Sequence, residues 1–239
     1  ALKSLSNTRM AKITSKSDID LEDIRKTKTV VYFITPAQHG QYYSFLTSLF
    51  FRSVFNACMR SLPTRKTLPV HILYDEFGNS TIPDFVSTAN TIRGYKVSLS
   101  IVLQTITQLE SRYGRAYANA IQGGFNTYMT LSGADPMTAA HFESIIGKVR
   151  ERHRKQLDDP TGEYREYSLI NASEVRTIES DEALIVCSNR QPVKTKCTPY
   201  FQNGRFNRQT KRGPVKLVRN KKADPLAYVP LTTDDGLSF

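Results

Sequence analysis

Apolar residues along this chain fall into short continuous runs separated by stretches with three- and four-residue periodicity, the pattern of strands alternating with helices. Val30 to Thr35 (VVYFIT) is β-branched and aromatic and is closed by Pro36, which predicts a core strand. From Gln41 to Leu62, Tyr42, Phe45, Leu46, Leu49, Val54 and Cys58 recur at helical steps until Pro63 stops them, predicting a heavily buried helix. Val70 to Tyr74 reads as a strand, Asp84 to Thr91 as a helix and Val97 to Leu103 as another strand. A helix over 107–121 stopped by Gly123-Gly124, a strand over Thr127 to Leu131, and a helix opened by Asp135-Pro136 and closed at Gly147 continue the order. Strict alternation of this kind predicts a mainly parallel sheet flanked by helices, a three-layer α/β domain.

The pattern changes beyond that point. Val149 to Arg165 is a dense charge run, Ser173 to Ile178 fits a short helix, and Ala183 to Ser188 with Val193 to Thr198 fit a closing hairpin that would finish the sheet. Residues 1–28 are polar and mixed in charge and read as a lead-in, 29–200 as the nucleotide-binding domain argued below, and 201–239 as a basic, flexible tail.

Composition narrows the class. With 239 residues and 39% hydrophobic content the chain can bury a real core. Cys58, Cys187 and Cys197 lack CxxC spacing, which argues against a disulfide framework or a zinc site and for a reducing compartment. His39, His71, His141 and His153 show no metal-ligand spacing, so a metal hydrolase is not expected. The longest stretch without formal charge, between Lys28 and Arg52, is interrupted by Pro36, Gln38, His39, Gly40 and Gln41, so no transmembrane helix is expected and the chain itself reads as soluble. The net charge of +11 is concentrated: from Ala183 to Ala223 there is no acid, and the cations run from Arg190 to Lys222. Arg205, Arg208, Lys211, Arg212, Lys216, Arg219, Lys221 and Lys222 are the candidate nucleic-acid contacts, with a merely solvated tail as the alternative.

The candidate chemistry centres on VHILYDEFG, Val70 to Gly78, where an apolar strand ends in two adjacent carboxylates, the form of a Walker B motif. Ligand sites of α/β sheets lie at the carboxyl ends of strands, so Asp75 would hold a nucleotide's Mg²⁺ through water, and Glu76 would orient or deprotonate the attacking water. An acidic pair opening an ordinary loop is the alternative. Gln104 ends the next predicted strand, and adjacent strand ends lie about 5 Å apart, so all three side chains can converge on one ligand. It would sense the γ-phosphate or hold the lytic water, unless it is a solvated strand-end amide. Arg93, in an Arg-Gly turn before that strand, can offer a guanidinium to a neighbouring subunit's phosphate or be an ordinary surface arginine. No GxxxxGK[ST] loop is present; Phe142 stands where the first glycine before Gly147-Lys148 would be.

Several ordered blocks carry a resemblance: LYDEFGN from Leu73, IPDF from Ile82, TIRGYKVSLSIVLQ from Thr91 and QLESRYG from Gln108. Together with the segments around them, over about residues 15–200, they resemble the TraG/TraD/VirD4 family of type IV secretion coupling proteins. The resemblance implies the Walker B half of a RecA-like P-loop NTPase core. It also implies an ATP- and Mg²⁺-dependent homo-hexameric motor on the cytoplasmic face of the bacterial inner membrane. Such a motor delivers relaxase-bound DNA or protein substrates to the secretion channel during conjugation. In that frame Asp75 and Glu76 are Walker B residues, Gln104 the sensor glutamine and Arg93 an arginine finger acting in trans. The family's phosphate loop, membrane helices and most of an all-helical domain would precede Ala1, which makes this stretch inactive alone and attaches it to the membrane only through that segment. His71 and Tyr74 stand where the family has plainer aliphatics. A nucleic-acid or relaxosome-binding module without catalysis, and another RecA-like translocase or helicase, are the alternative readings.

Overall fold

The computed structural model describes residues 11, 14–15, 19–35, 40–153 and 163–212. After a 3₁₀ turn, Asp23–Arg25, comes helix α1, Gly40–Met59, whose buried side chains Thr47, Val54, Phe55 and Cys58 lie on one face, as the apolar spacing requires. Strands β1 (Val70–Tyr74) and β2 (Val97–Ile101) pair in parallel, Val70 opposite Val97 and Tyr74 opposite Ile101. Between them run helix α2 (Phe85–Thr91) and a 3₁₀ turn, Ile92–Tyr95, the crossover that parallel strands need. Phe55 and Cys58 of α1, Ile72 and Tyr74 of β1, Phe77, Phe85 and Val97 form one buried core, continued by Leu109, Ala118 and Ile121. Burial raises the Cys58 thiol above its ordinary range, so it behaves as a small apolar group.

The expected helix over 107–121 is two helices, α3 (Thr107–Tyr113) and α4 (Arg115–Gly123), because Gly114 takes φ +78° between them. Strand β3 (Thr127–Leu131) follows, then α5 (Pro136–Ile146). Asp135 starts α5 by accepting the Met137 and Thr138 N–H groups, with Pro136 in the first helical position. The charge run folds as a hairpin, β4 (Lys148–His153) against β5 (Glu163–Ser168), with the Arg150 guanidinium 4.8 Å over the Tyr164 ring. Helix α6 (Ala172–Arg176) opens with a reciprocal cap between Asn171 and Glu174. Strand β6 (Glu182–Cys187) pairs antiparallel with β3 on one side and with β7 (Val193–Lys196) on the other. Among the described residues parallel pairing is confined to β1 and β2, and the closing hairpin extends the β3 sheet. A second core, Ala139, Phe142, Val175, Ile178, Leu184 and Val186, lies between α5, α6 and β6.

A strand expectation is also revised. Residues 30–35 form no strand: no backbone ladder engages them, and Val30, Tyr32 and Ile34 are exposed while Phe33 stacks on Phe50 at 4.5 Å. β-branched composition makes a segment suited to pairing, but a strand exists only where a neighbour supplies the hydrogen bonds. The lead-in is also more than a connector. Leu21 and Ile24 pack on the first core, and the buried Arg25 donates to the Cys58 carbonyl at the end of α1 and to the Tyr95 carbonyl at 2.7 Å. It satisfies one of the orphan carbonyls of the helix terminus. Within the expected tail, residues 204–210 form helix α7, capped by Asn203; Lys216, Arg219, Lys221 and Lys222 lie outside the described residues.

Candidate nucleotide-hydrolysis edge

Because β1 and β2 run in the same direction, the residues that follow them emerge on one edge. The ladder extends one step past both strands, Val102 N–H donating to the Tyr74 carbonyl (2.9 Å) and Phe77 N–H to the Val102 carbonyl (3.0 Å). That double bond pins Asp75 and Glu76 beside residues 102–104. The loop cannot drift from the sheet.

Asp75 and Glu76 are both exposed. Asp75 accepts the Glu76 N–H on Oδ1 at 2.9 Å, and its Oδ2 accepts nothing from the described residues. A single exposed carboxylate oxygen is the hard donor that a water-rich Mg²⁺ shell takes, so the residue fits that ion. Glu76 sits at φ 51°, ψ 44°, a left-handed conformation that costs a side chain about 1 kcal/mol or more. Asn79 holds it there, its Nδ2 donating to Glu76 Oε2 at 2.7 Å. Gln104, also exposed, donates its backbone N–H to Gln108 Oε1 at 3.0 Å.

Four residues that sequence reasoning assigned no role, Gly78, Gln108, Arg112 and Tyr113, hold this edge together. A Cβ on the buried Gly78 would come within 2.6 Å of Gln108 Cδ, so glycine lets the Gln108 side chain lie over the turn and reach Gln104. Arg112 Nε donates to the Gly78 carbonyl at 2.7 Å. Tyr113 receives the Ile82 N–H on its hydroxyl at 2.9 Å, and burial pushes that hydroxyl up to about 12 despite the opposing bond from Ile82. The loop is also braced from α1, where Ser48 donates to the Thr81 carbonyl (2.8 Å) and Arg52 pairs with Asp84 (2.8 Å). Asn79 lies three residues from Glu76, which a tight turn would have flagged; Gln108 and Arg112 are about thirty residues away and left no such signal.

Asp75, Glu76 and Gln104 therefore share one edge. Arg93 does not: it lies in the turn before β2, at the opposite end of the parallel pair, roughly 16 Å away at about 3.3 Å per strand residue. Its guanidinium is exposed and pairs with no acid among the described residues. Of the basic candidates, Arg205, Arg208, Lys211 and Arg212 lie on or just after α7, all exposed.

The chain as a whole is similar to known proteins. The VirD4 protein of Rhizobium radiobacter is 24% identical over 214 residues, covering 83% of this chain and 30% of its own length. The VirD4 protein of Rhizobium rhizogenes is 23% identical over 210 residues, covering 82% and 31%. The chain thus spans about a third of the length of these relatives. Among solved structures, the plasmid coupling protein TrwB in complex with the non-hydrolysable GTP analogue GDPNP superposes with a TM-score of 0.60 at 19% identity, covering 69% of this chain and 39% of that one. TrwB in complex with ADP and Mg²⁺ gives 0.59 at 18% identity, covering 69% and 38%. The chain therefore shares the α/β fold of these coupling-protein structures, with a parallel pair and flanking helices. The profile described as type IV secretory system conjugative DNA transfer matches residues 1–223, and the chain belongs to that family of coupling proteins.

Proposed function

We propose that this chain supplies the hydrolytic edge of an ATP-driven coupling protein that moves DNA, or a protein substrate, towards a type IV secretion channel. The observation that carries the reading is the joint fixation of Asp75, Glu76 and Gln104 at the carboxyl ends of two parallel strands by Gln108, Gly78 and Arg112. Asp75 would hold the Mg²⁺ that accompanies ATP, which when bound would supply charge neutralisation at the phosphates. Glu76, steered by Asn79, accepts a proton from the attacking water, and Gln104 orients that water or the γ-phosphate. The phosphate grip comes from a loop that this sequence does not contain.

In this reading Arg93, remote from its own chain's carboxylates and exposed, serves the phosphates of a neighbouring copy, and the working assembly is a ring of identical subunits, a homo-hexamer. TrwB was solved with ADP and Mg²⁺, which supports the same cofactors here. DNA meets the exposed cations Arg205, Arg208, Lys211 and Arg212, together with Lys216, Arg219, Lys221 and Lys222. The relaxase and the channel proteins at the cytoplasmic face of the inner membrane are the protein partners. No helix among the described residues is long and apolar enough to cross a membrane, so attachment there would use other segments.

The test is Glu76→Gln in the full-length protein. ATP hydrolysis is expected to fall by about a hundredfold or more, as loss of a general base does, with ATP still bound and DNA transfer abolished. Unaltered turnover would remove Glu76 from the reaction.

A further inference from the structure

Residues 199–212 fold into a turn and a helix whose outer surface joins exposed aromatic rings to cations that pair with no acid among the described residues. Gln202 N–H donates to the Pro199 carbonyl (3.0 Å) and Asn203 N–H to the Tyr200 carbonyl (3.2 Å), closing the turn. Asn203 Oδ1 then accepts the Arg205 and Phe206 N–H groups, and Asn207 Nδ2 donates back to the Phe201 carbonyl at 2.9 Å. Turn and helix are thereby one unit. The Tyr200 and Phe201 rings stand edge to face at 5.6 Å and are 60% and 56% exposed; Phe206 is 52% exposed. Burying such a ring is worth about 1.5–3 kcal/mol, so three left in water within seven positions are not explained by the chain's own core.

The cations beside them are unusual in the same way. Arg205 and Arg208 recur at i and i+3 on one side of α7, and Arg212 follows in the turn after it. Elsewhere in the same acid-free stretch, Lys194 pairs with Glu182 (2.7 Å) and Lys196 with Asp181 (3.5 Å). Arg205, Arg208, Lys211 and Arg212 pair with no acid among the described residues. Their charge is available to an anion from outside.

Duplex and single strand differ in what they offer such a surface. A duplex presents phosphates and keeps its base faces stacked inside, so it would use the cations and leave the rings wet; a single strand offers both. We propose that Tyr200, Phe201 and Phe206, flanked by Arg205, Arg208 and Arg212, form a binding site for single-stranded nucleic acid, with unpaired bases stacked on the rings and the intervening phosphates on the guanidiniums. This rests on the reading that the basic end meets nucleic acid, and adds to it a preference for single strands and the residues that produce it.

The sequence contains no tryptophan, so Phe206→Trp in the 239-residue chain places a lone reporter in the site. Its emission is expected to be quenched by an oligothymidylate of about fifteen nucleotides, within the span such sites cover, and not by a blunt duplex. Tyr200→Leu with Phe206→Leu, which keeps apolar bulk but removes the rings, should weaken oligothymidylate binding by about 10- to 100-fold and leave duplex affinity within about twofold. Arg205→Gln with Arg208→Gln should weaken both ligands and flatten the salt dependence. Leucine variants that bind the single strand as tightly as the parent, or lose both ligands equally, would overturn the stacking site while leaving a basic DNA surface in place. A chain that binds neither nucleic acid, or binds polyglutamate through the same rings as tightly, would overturn both readings.

Discussion

The core around β1 and β2 and the core around β6 are held by different kinds of bond. In the first, aromatic rings dominate: Phe77 packs on Phe85 at 4.5 Å, on Tyr74 at 5.2 Å and parallel to Tyr113 at 5.9 Å. Helices α2, α3 and α4 start there without side-chain caps, and Glu76 and Asp84 sit in the left-handed region. What fixes the carboxylate loop comes from afar, Arg112 to Gly78 and Tyr113 to Ile82. In the second core, Asp135 caps α5 and Asn171 with Glu174 caps α6, bonds that span two or three residues. The second core also uses long-range bonds, Glu143 of α5 accepting the Ser168 hydroxyl (2.5 Å) and the Ala172 N–H (3.0 Å), but it adds local helix caps that the strained, charge-bearing region lacks.

That contrast can be broken most directly at Phe77. Phe77→Ala removes a fully buried ring from the aromatic cluster and should cost about 3–5 kcal/mol by chemical denaturation, as large-to-small core changes do. A cost near that of an exposed site would mean the loop is not held by this core. Tyr113→Phe keeps the ring but strands the Ile82 N–H, and about 1–3 kcal/mol should be lost. If the long-range bonds serve the carboxylates, the full-length variant should also hydrolyse ATP more slowly, whereas a loss of stability alone would make the bond merely structural.

Asp135→Ala probes the local side and should cost about 1 kcal/mol. Thr138 Oγ1 donates to Asp135 Oδ2 and accepts the Ile106 N–H at 3.1 Å, so part of that cost would appear as loosening just after Gln104, readable as faster amide exchange at Ile106. The smallest effect concerns His141 on α5, whose imidazole burial holds below its ordinary 6.5. As pH falls, the unfolded chain takes up this proton first, so the contribution is complete above 6.5 and fades below it. Melting temperature should therefore drop between about pH 7 and 5, and His141→Phe should flatten that drop.

Much of the fold was legible because its signals are local. The apolar spacing of α1, the Asp135-Pro136 start of α5 and the run Thr127 to Leu131 all appear where periodicity and capping chemistry put them. The charged hairpin β4–β5 was not legible, since its alternation is of charge and aromatics rather than of apolar residues. Val30 to Thr35 misled because its composition suits a strand, while hydrogen bonding depends on a neighbour that composition does not reveal. At the site, Asp75, Glu76 and Gln104 could be found as strand ends, but Gly78, Gln108 and Arg112 could not be joined before the chain was folded.

The sequence by itself determined that an apolar strand ends in Asp75-Glu76, that Gln104 ends the next, and that the basic charge gathers after Arg190, because these are properties of neighbouring residues. Only the tertiary structure decided that Gln108 fits against a glycine thirty positions earlier, that Arg93 stands at the far end of the parallel pair, and that Lys194 and Lys196 pair with acids while Arg205 and Arg208 of α7 meet none among the described residues. Those outcomes depend on which distant groups share space and compete for the same partners, and a linear pattern holds no record of that competition.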